Sequence, residues 1–242
     1  MTERGELRVF PDADAVARAL AETIVAQGRS AVAERGRYAL ALAGGETPRA
    51  GYALLATPPF RDALPWPAVH VFFGDERCVP PDDPRSNYRM AAEAFLAAVS
   101  IPPENVHRIE GERDPEDAAR RYARLLCSLL GDPPVFDLLL LGLGSDGHTA
   151  SLFPGSDPHE GAAELVRAVE DEHAGTRRVT ITPPVIEAAR LVAFTVTGAE
   201  KAAALRAVRS GAYDPLRYPA QVAAARSGPV LWLVDAAAAG GA

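Results

Sequence analysis

Short apolar runs alternate along the chain with longer stretches in which apolar residues recur every three or four positions. LRVF (7–10) predicts a first strand, and Asp12 then stands where a helix N-cap belongs, ahead of Val16, Leu20 and Ile24 at helical spacing. YALALA (38–43) and AVHVFF (68–73) predict the next two strands. One helix is expected around 87–99 and another around 115–130, where Ala118, Tyr122, Leu125, Leu126 and Leu129 share a face. FDLLLL (136–141) is apolar at successive positions, the pattern of a strand buried on both faces. RVTIT (178–182), RLVAFTV (190–196) and PVLWLV (229–234) supply three more. Strands alternating with helices predict an α/β fold: a doubly wound, mostly parallel sheet with helices on both faces, a Rossmann-like three-layer arrangement. No repeat, low-complexity tract or linker divides residues 1–242, which are expected to form a single domain; the Pro-rich stretches 58–67, 79–84 and 183–184 read as loops.

In a sheet of this kind ligands bind at the carboxyl ends of the strands, where strand order reverses. Four polar, partly Gly-rich segments fall there: AGGETP after 38–43, GDERCVPPDDPRSNY after 68–73, GLGSDGHTAS after 136–141 and TGAEK after 190–196. Their convergence predicts a site. In AGGETP, Gly44 and Gly45 let main-chain N–H groups approach an anion at a helix start, with Thr47 as cap or hydroxyl donor and Pro48 suited to the first helical position. On these letters alone a tight turn with an ordinary cap is the favoured reading, and Glu46 must point away from any anion bound there, or the cradle belongs to neighbouring groups. Arg77 offers a planar fork of donors for phosphate or an oxyanion, with Asp75 or Glu76 placed to hold it, while Ser86 suits the N-cap of the next helix.

GLGSDGHTAS fits the letters of the dinucleotide fingerprint G-x-G-x-x-G, but Asp146 and His148 crowd the pyrophosphate position and no strand ending in an acidic residue follows about 20 positions on. A nucleophile elbow needs glycine two residues before Ser145, where Leu143 stands. His70, His107, His159 and His173 show no metal-ligand spacing with His148. What remains is a histidine at an expected helix start, where the macrodipole favours neutral imidazole, the state of a general base for water.

Composition sharpens this reading in two places. A net charge of −7 and a pI near 5.3 exclude a protein that neutralises nucleic-acid phosphates over a broad surface. Among 25 basic residues Lys201 is the only lysine; an ammonium in the first turn of a helix, at the sheet's ligand edge, reads as a point-charge contact for an anion. No run approaches the roughly 18 apolar residues of a membrane span, MTERGELRVF lacks a signal-peptide core, and Cys78 and Cys127 set no disulfide or metal pattern. The expected setting is cytoplasmic and thiol-reduced.

These segments, with RVTITPPVIEAARLVAFTVTGAEKAAAL and the terminal PVLWLVD, resemble the 6-phosphogluconolactonase family within the wider glucosamine-6-phosphate isomerase/deaminase fold group, in family order over most of the chain. The resemblance implies hydrolysis of 6-phospho-D-glucono-1,5-lactone to 6-phospho-D-gluconate, the second step of the oxidative pentose phosphate pathway, with no metal or organic cofactor. It implies His148 as the base that activates water, Asp146 as its orienting neighbour, Arg77 as an anion clamp with Asp75 nearby, and Gly44, Gly45, Thr47, Asn87 and Lys201 as substrate or phosphate contacts. The expected partner is a small phosphorylated sugar lactone, with no nucleic acid or membrane, the protein acting as a monomer or small homo-oligomer. The deaminase branch resembled next continues after its histidine as I-A-F-N-E, with a glutamate where this chain has Phe153, a ring that can do no acid–base work. A non-catalytic sugar-phosphate sensor is the other alternative, for which the acidic chain leaves no helix-turn-helix room before its first strand.

Overall fold

The computed structural model describes residues 3–161, 163–171 and 175–240. Six parallel strands form the main sheet: β1 (Glu6–Phe10), β2 (Tyr38–Leu42), β3 (Val69–Phe73), β5 (Leu138–Gly142), β8 (Val192–Val196) and β9 (Val230–Asp235), in the order β1-β9-β8-β5-β2-β3. The expected doubly wound architecture is therefore present. Its interior strands carry the core: all of β2 is buried, and Leu138 to Leu141 are at most 1% exposed. Each such leucine contributes about 1.5–3 kcal/mol by leaving water, which explains the uninterrupted apolar run.

The helices follow from caps and apolar faces. Asp12 caps α1 (Ala13–Arg35) by accepting from the Ala15 amide at 2.8 Å. Asp114 caps α4 (Pro115–Leu130) in the same way, with Pro115 at its first position, and Ala118, Tyr122 and Leu126 are buried. The Tyr122 hydroxyl accepts from the Phe73 N–H and donates to its C=O, at 2.9 and 3.0 Å, pinning the end of β3. Right-handed crossovers put α1 and α2 (Glu46–Leu55) on one face of the sheet, and α4, α5 (Pro183–Ala188) and α6 (Ala202–Ser210) on the other.

Three expectations are corrected. The segment 178–182 does not join the main sheet: β7 (Thr176–Ile181) is the centre of a separate antiparallel sheet, between β4 (Asp75–Arg77) and β6 (Val166–Asp171). The chain crosses from one sheet to the other at Gly74, whose N–H bonds Leu42 O and whose C=O accepts from Ile181 N, both at 2.9 Å. The helix expected over 87–99 ends sooner, as α3 (Asn87–Ala94) followed by a 3₁₀ turn at Leu96–Ala98. Pro48 takes the third position of α2, not the first, because Glu46 opens that helix and Gly45 is its cap.

β2 leads outward to β3, whereas the return through β5 to β8 and β9 runs the opposite way. The order thus reverses between β2 and β5, whose registered pairing, Leu40–Leu138 and Ala41–Leu139, stops before either strand does. A crevice at the carboxyl ends of these two strands is the consequence.

Candidate active site

The four polar segments converge on that crevice, an open cleft. Gly44, Gly45, Asp75, Arg77, Asn87, His148 and Lys201 stand on its wall. Thr47 and Asp146 are not on that wall: the Thr47 hydroxyl is 2.6 Å from that of Thr197, tying the β2 and β8 loops together, and Asp146 is engaged with His148. Glu46 points away, its side chain 89% exposed and paired with Arg49 at 3.2 Å.

After β5 the chain folds tightly on itself. A Cβ at Gly144 would lie 2.1 Å from His148 Nδ1 and 2.4 Å from Asp146 Oδ1, so only glycine admits the arrangement. One oxygen, Asp146 Oδ1, accepts from both the main-chain N–H of His148 (3.1 Å) and its ring Nδ1 (2.7 Å). Partial burial works against the Asp146 carboxylate, but the His148 main chain and ring outweigh it and hold the carboxyl below its ordinary value. With Nδ1–H donated to a carboxylate, the lone pair rests on Nε2. No helix begins at His148; the residues after it form turns, with an isolated bridge between Thr149 and Leu152. The expected macrodipole has no helix to supply it, and the carboxylate is what orients the imidazole. Ala150 follows in the left-handed region (φ 48), a conformation that costs an alanine about 1–3 kcal/mol. Ser151 anchors it, donating its hydroxyl to Asp75 Oδ2 at 2.7 Å and its N–H to Thr180 Oγ1 at 3.2 Å.

The cations of the cleft differ in their company. Neither Asp75 nor Glu76 holds the Arg77 guanidinium, contrary to expectation: Arg77 Nη1 donates to Asn87 Oδ1 and, at 3.0 Å, to the Arg85 carbonyl, both neutral acceptors. Glu76 instead caps α3, accepting from the N–H groups of Asn87 (2.7 Å) and Tyr88 (2.9 Å) and from the Ser86 hydroxyl (2.9 Å), while Ser86 takes the expected cap role toward Arg89 N. Burial pushes the Glu76 carboxyl up against these hydrogen bonds. Lys201, at the end of the 3₁₀ turn that leads into α6, makes no ion pair among the described residues.

Arg178 is the wall residue that sequence reasoning missed. It stands directly opposite Arg77 across β4 and β7, with Nη1 3.7 Å from Asp75 Oδ2 and Nη2 bonded to Asp171, and its guanidinium lies 5.5 Å from the Phe153 ring centroid. Like charges directly opposite are unfavourable, and Arg178 has both Asp75 and Asp171 beside it. The signal in the sequence was the charged pair Arg177–Arg178 opening an apolar strand. Phe153 also packs on His148, ring centroids 5.3 Å apart. Among the described residues no group of three or more His, Cys, Asp or Glu side chains is placed to hold a metal ion; His173 lies outside them.

The glucosamine-6-phosphate isomerases/6-phosphogluconolactonase family matches residues 11–232. The chain is 44% identical to 6-phosphogluconolactonase from Synechocystis sp. over 210 residues, 85% of each protein, and 38% identical to that from Nostoc sp., covering 96% of each. The solved structure of 6-phosphogluconolactonase from Trypanosoma brucei superposes with a TM-score of 0.84 at 31% identity, covering 99% of both chains. The chain belongs to the glucosamine-6-phosphate isomerase/6-phosphogluconolactonase family.

Proposed function

We propose that the protein hydrolyses 6-phospho-D-glucono-1,5-lactone to 6-phospho-D-gluconate, the second step of the oxidative pentose phosphate pathway. The observation that carries this reading is the Asp146–His148 pair, on whose cleft stand two cations, Arg77 and Lys201, without carboxylate partners among the described residues. His148 Nε2 takes a proton from water as the oxygen attacks the lactone carbonyl. The tetrahedral oxyanion then collapses, the bond to the ring oxygen breaks, and the proton passes to the departing hydroxyl. Asp146 keeps the ring in the required tautomer and stabilises the transient imidazolium. Arg178 is matched by Asp75 and Asp171, so net positive charge falls on Arg77 and Lys201. These two suit the phosphate end of the substrate, which carries about −1.5 to −2 charges at neutral pH, or the oxyanion.

No organic cofactor or metal takes part in these steps, and a cytoplasmic setting suits them. A deaminase reading meets Phe153 against His148, where the branch resembled in sequence carries a carboxylate. The test is the rate of lactone opening, with lactone generated in place from glucose 6-phosphate, beside ammonia release from glucosamine 6-phosphate. Fast opening without ammonia is expected; ammonia release without lactone opening would overturn the reading.

A further inference from the structure

We infer that Asn87 is a positioning residue that insulates Arg77 from Asp75, keeping the guanidinium uncompensated for the substrate's anion. The inference rests on the reading of Arg77 as an anion contact. Asp75 and Arg77 are two apart on β4, so their side chains leave the same face of the strand. Left to themselves a carboxylate and a guanidinium so placed would pair, and the pair would no longer attract a phosphate. The Asn87 amide stands between them. Its Nδ2 donates to the Asp75 carbonyl (2.9 Å) and to Asp75 Oδ1 (3.0 Å), while its Oδ1 accepts from Arg77 Nη1. The flipped amide would set NH₂ against guanidinium and oxygen against carboxylate, repulsive on both sides, so its orientation is chemically fixed.

With both amide protons committed inside the protein, Asn87 has no donor left for an anion. This argues against a direct phosphate contact. The surrounding structure serves the amide's position. Asn87 is 3% exposed, its N–H is held by buried Glu76, and a Cβ at Gly44 would fall 2.1 Å from its Oδ1. The first glycine of AGGETP is thus explained by the room that Asn87 needs.

The experiment measures kcat/KM for the phosphorylated lactone over that for unphosphorylated glucono-1,5-lactone, with thermal melting to confirm the fold of each variant. Asn87→Ala is expected to lower this ratio about tenfold, mainly through KM, as Arg77 turns to Asp75. Adding Asp75→Asn removes the competing charge, and because it also uncovers Arg178 the gain is read against Asp75→Asn alone: it should be at least threefold larger in the Asn87→Ala background, which neither a structural nor a ligand role for Asn87 would give. An unchanged ratio in Asn87→Ala, or no larger gain in the double variant, overturns the inference. Should Asn87→Ala not fold, Asn87→Asp keeps the shape while placing a carboxylate on Arg77, and an unaltered ratio there overturns it equally. Arg77→Ala separates the levels: if it leaves the ratio unchanged, the underlying reading of Arg77 fails; if it lowers the ratio while the Asn87 variants do not, the insulation alone fails.

Discussion

Replacing Asp146 by asparagine is predicted to cost far less than deleting the side chain, because a single oxygen makes both contacts to His148. Asp146 Oδ1 accepts at 3.1 Å from the main chain and at 2.7 Å from Nδ1. An asparagine can present its one carbonyl oxygen to the same donors, with its NH₂ toward solvent, since the Asp146 side chain is 47% exposed. The tautomer then survives, and what is lost is the charge that stabilises the imidazolium. Exchanging a charge-assisted for a neutral hydrogen bond removes about 1–1.5 kcal/mol, or roughly a 5- to 12-fold fall in kcat. Asp146→Ala also frees the ring to turn and change tautomer, so its loss should approach that of His148→Ala, about 10²–10⁴-fold for a general base. The assay is kcat for lactone opening in the three variants, with melting curves to confirm folding. If Asp146→Asn proved as damaging as Asp146→Ala, the one-oxygen account of the pair would be refuted.

Further expectations follow from other residues. Lys201→Ala should raise KM for the phosphorylated lactone; an equal loss with unphosphorylated gluconolactone would contradict the anion contact. Gly44→Ala drives a Cβ into Asn87, an overpacking worth about 1–3 kcal/mol. It should lower Tm by about 2–4 °C per kcal/mol, together with affinity for the phosphorylated lactone. His107 is pushed down to about 4 by burial and by facing His70. The unfolded chain therefore binds this proton first, and stability falls as pH drops from about 6.5 to 4, by about 1–2 kcal/mol for a half-exposed ring. Melting at stepped pH should show that slope, flattened in His107→Phe, which keeps the stack on Phe72.

The main sheet was legible because each of its strands is a run of apolar residues between turn signals, and the site because its four loops all follow such strands. The small antiparallel sheet was not. β4 is Asp75–Arg77, three charged residues that belong to a strand only by pairing with β7, and β6 alternates weakly as VRAVED. Without that sheet Arg178 has no reason to face the cleft. Asp75 was read as a partner for Arg77 because the two are close in sequence; that Asn87 comes between them depends on α3 folding back, a tertiary fact. His148 and Asp146 were recognisable as a pair two residues apart, whereas the absence of a helix after them was not, since HTASLF carries no breaker.

The most direct test is the rate of 6-phosphogluconolactone opening by the intact protein and by His148→Ala, with lactone made in place from glucose 6-phosphate. The account predicts rapid opening by the first and a loss of about 10²–10⁴-fold in the second, with an unchanged melting temperature. Near-equal rates in the two folded proteins would contradict it.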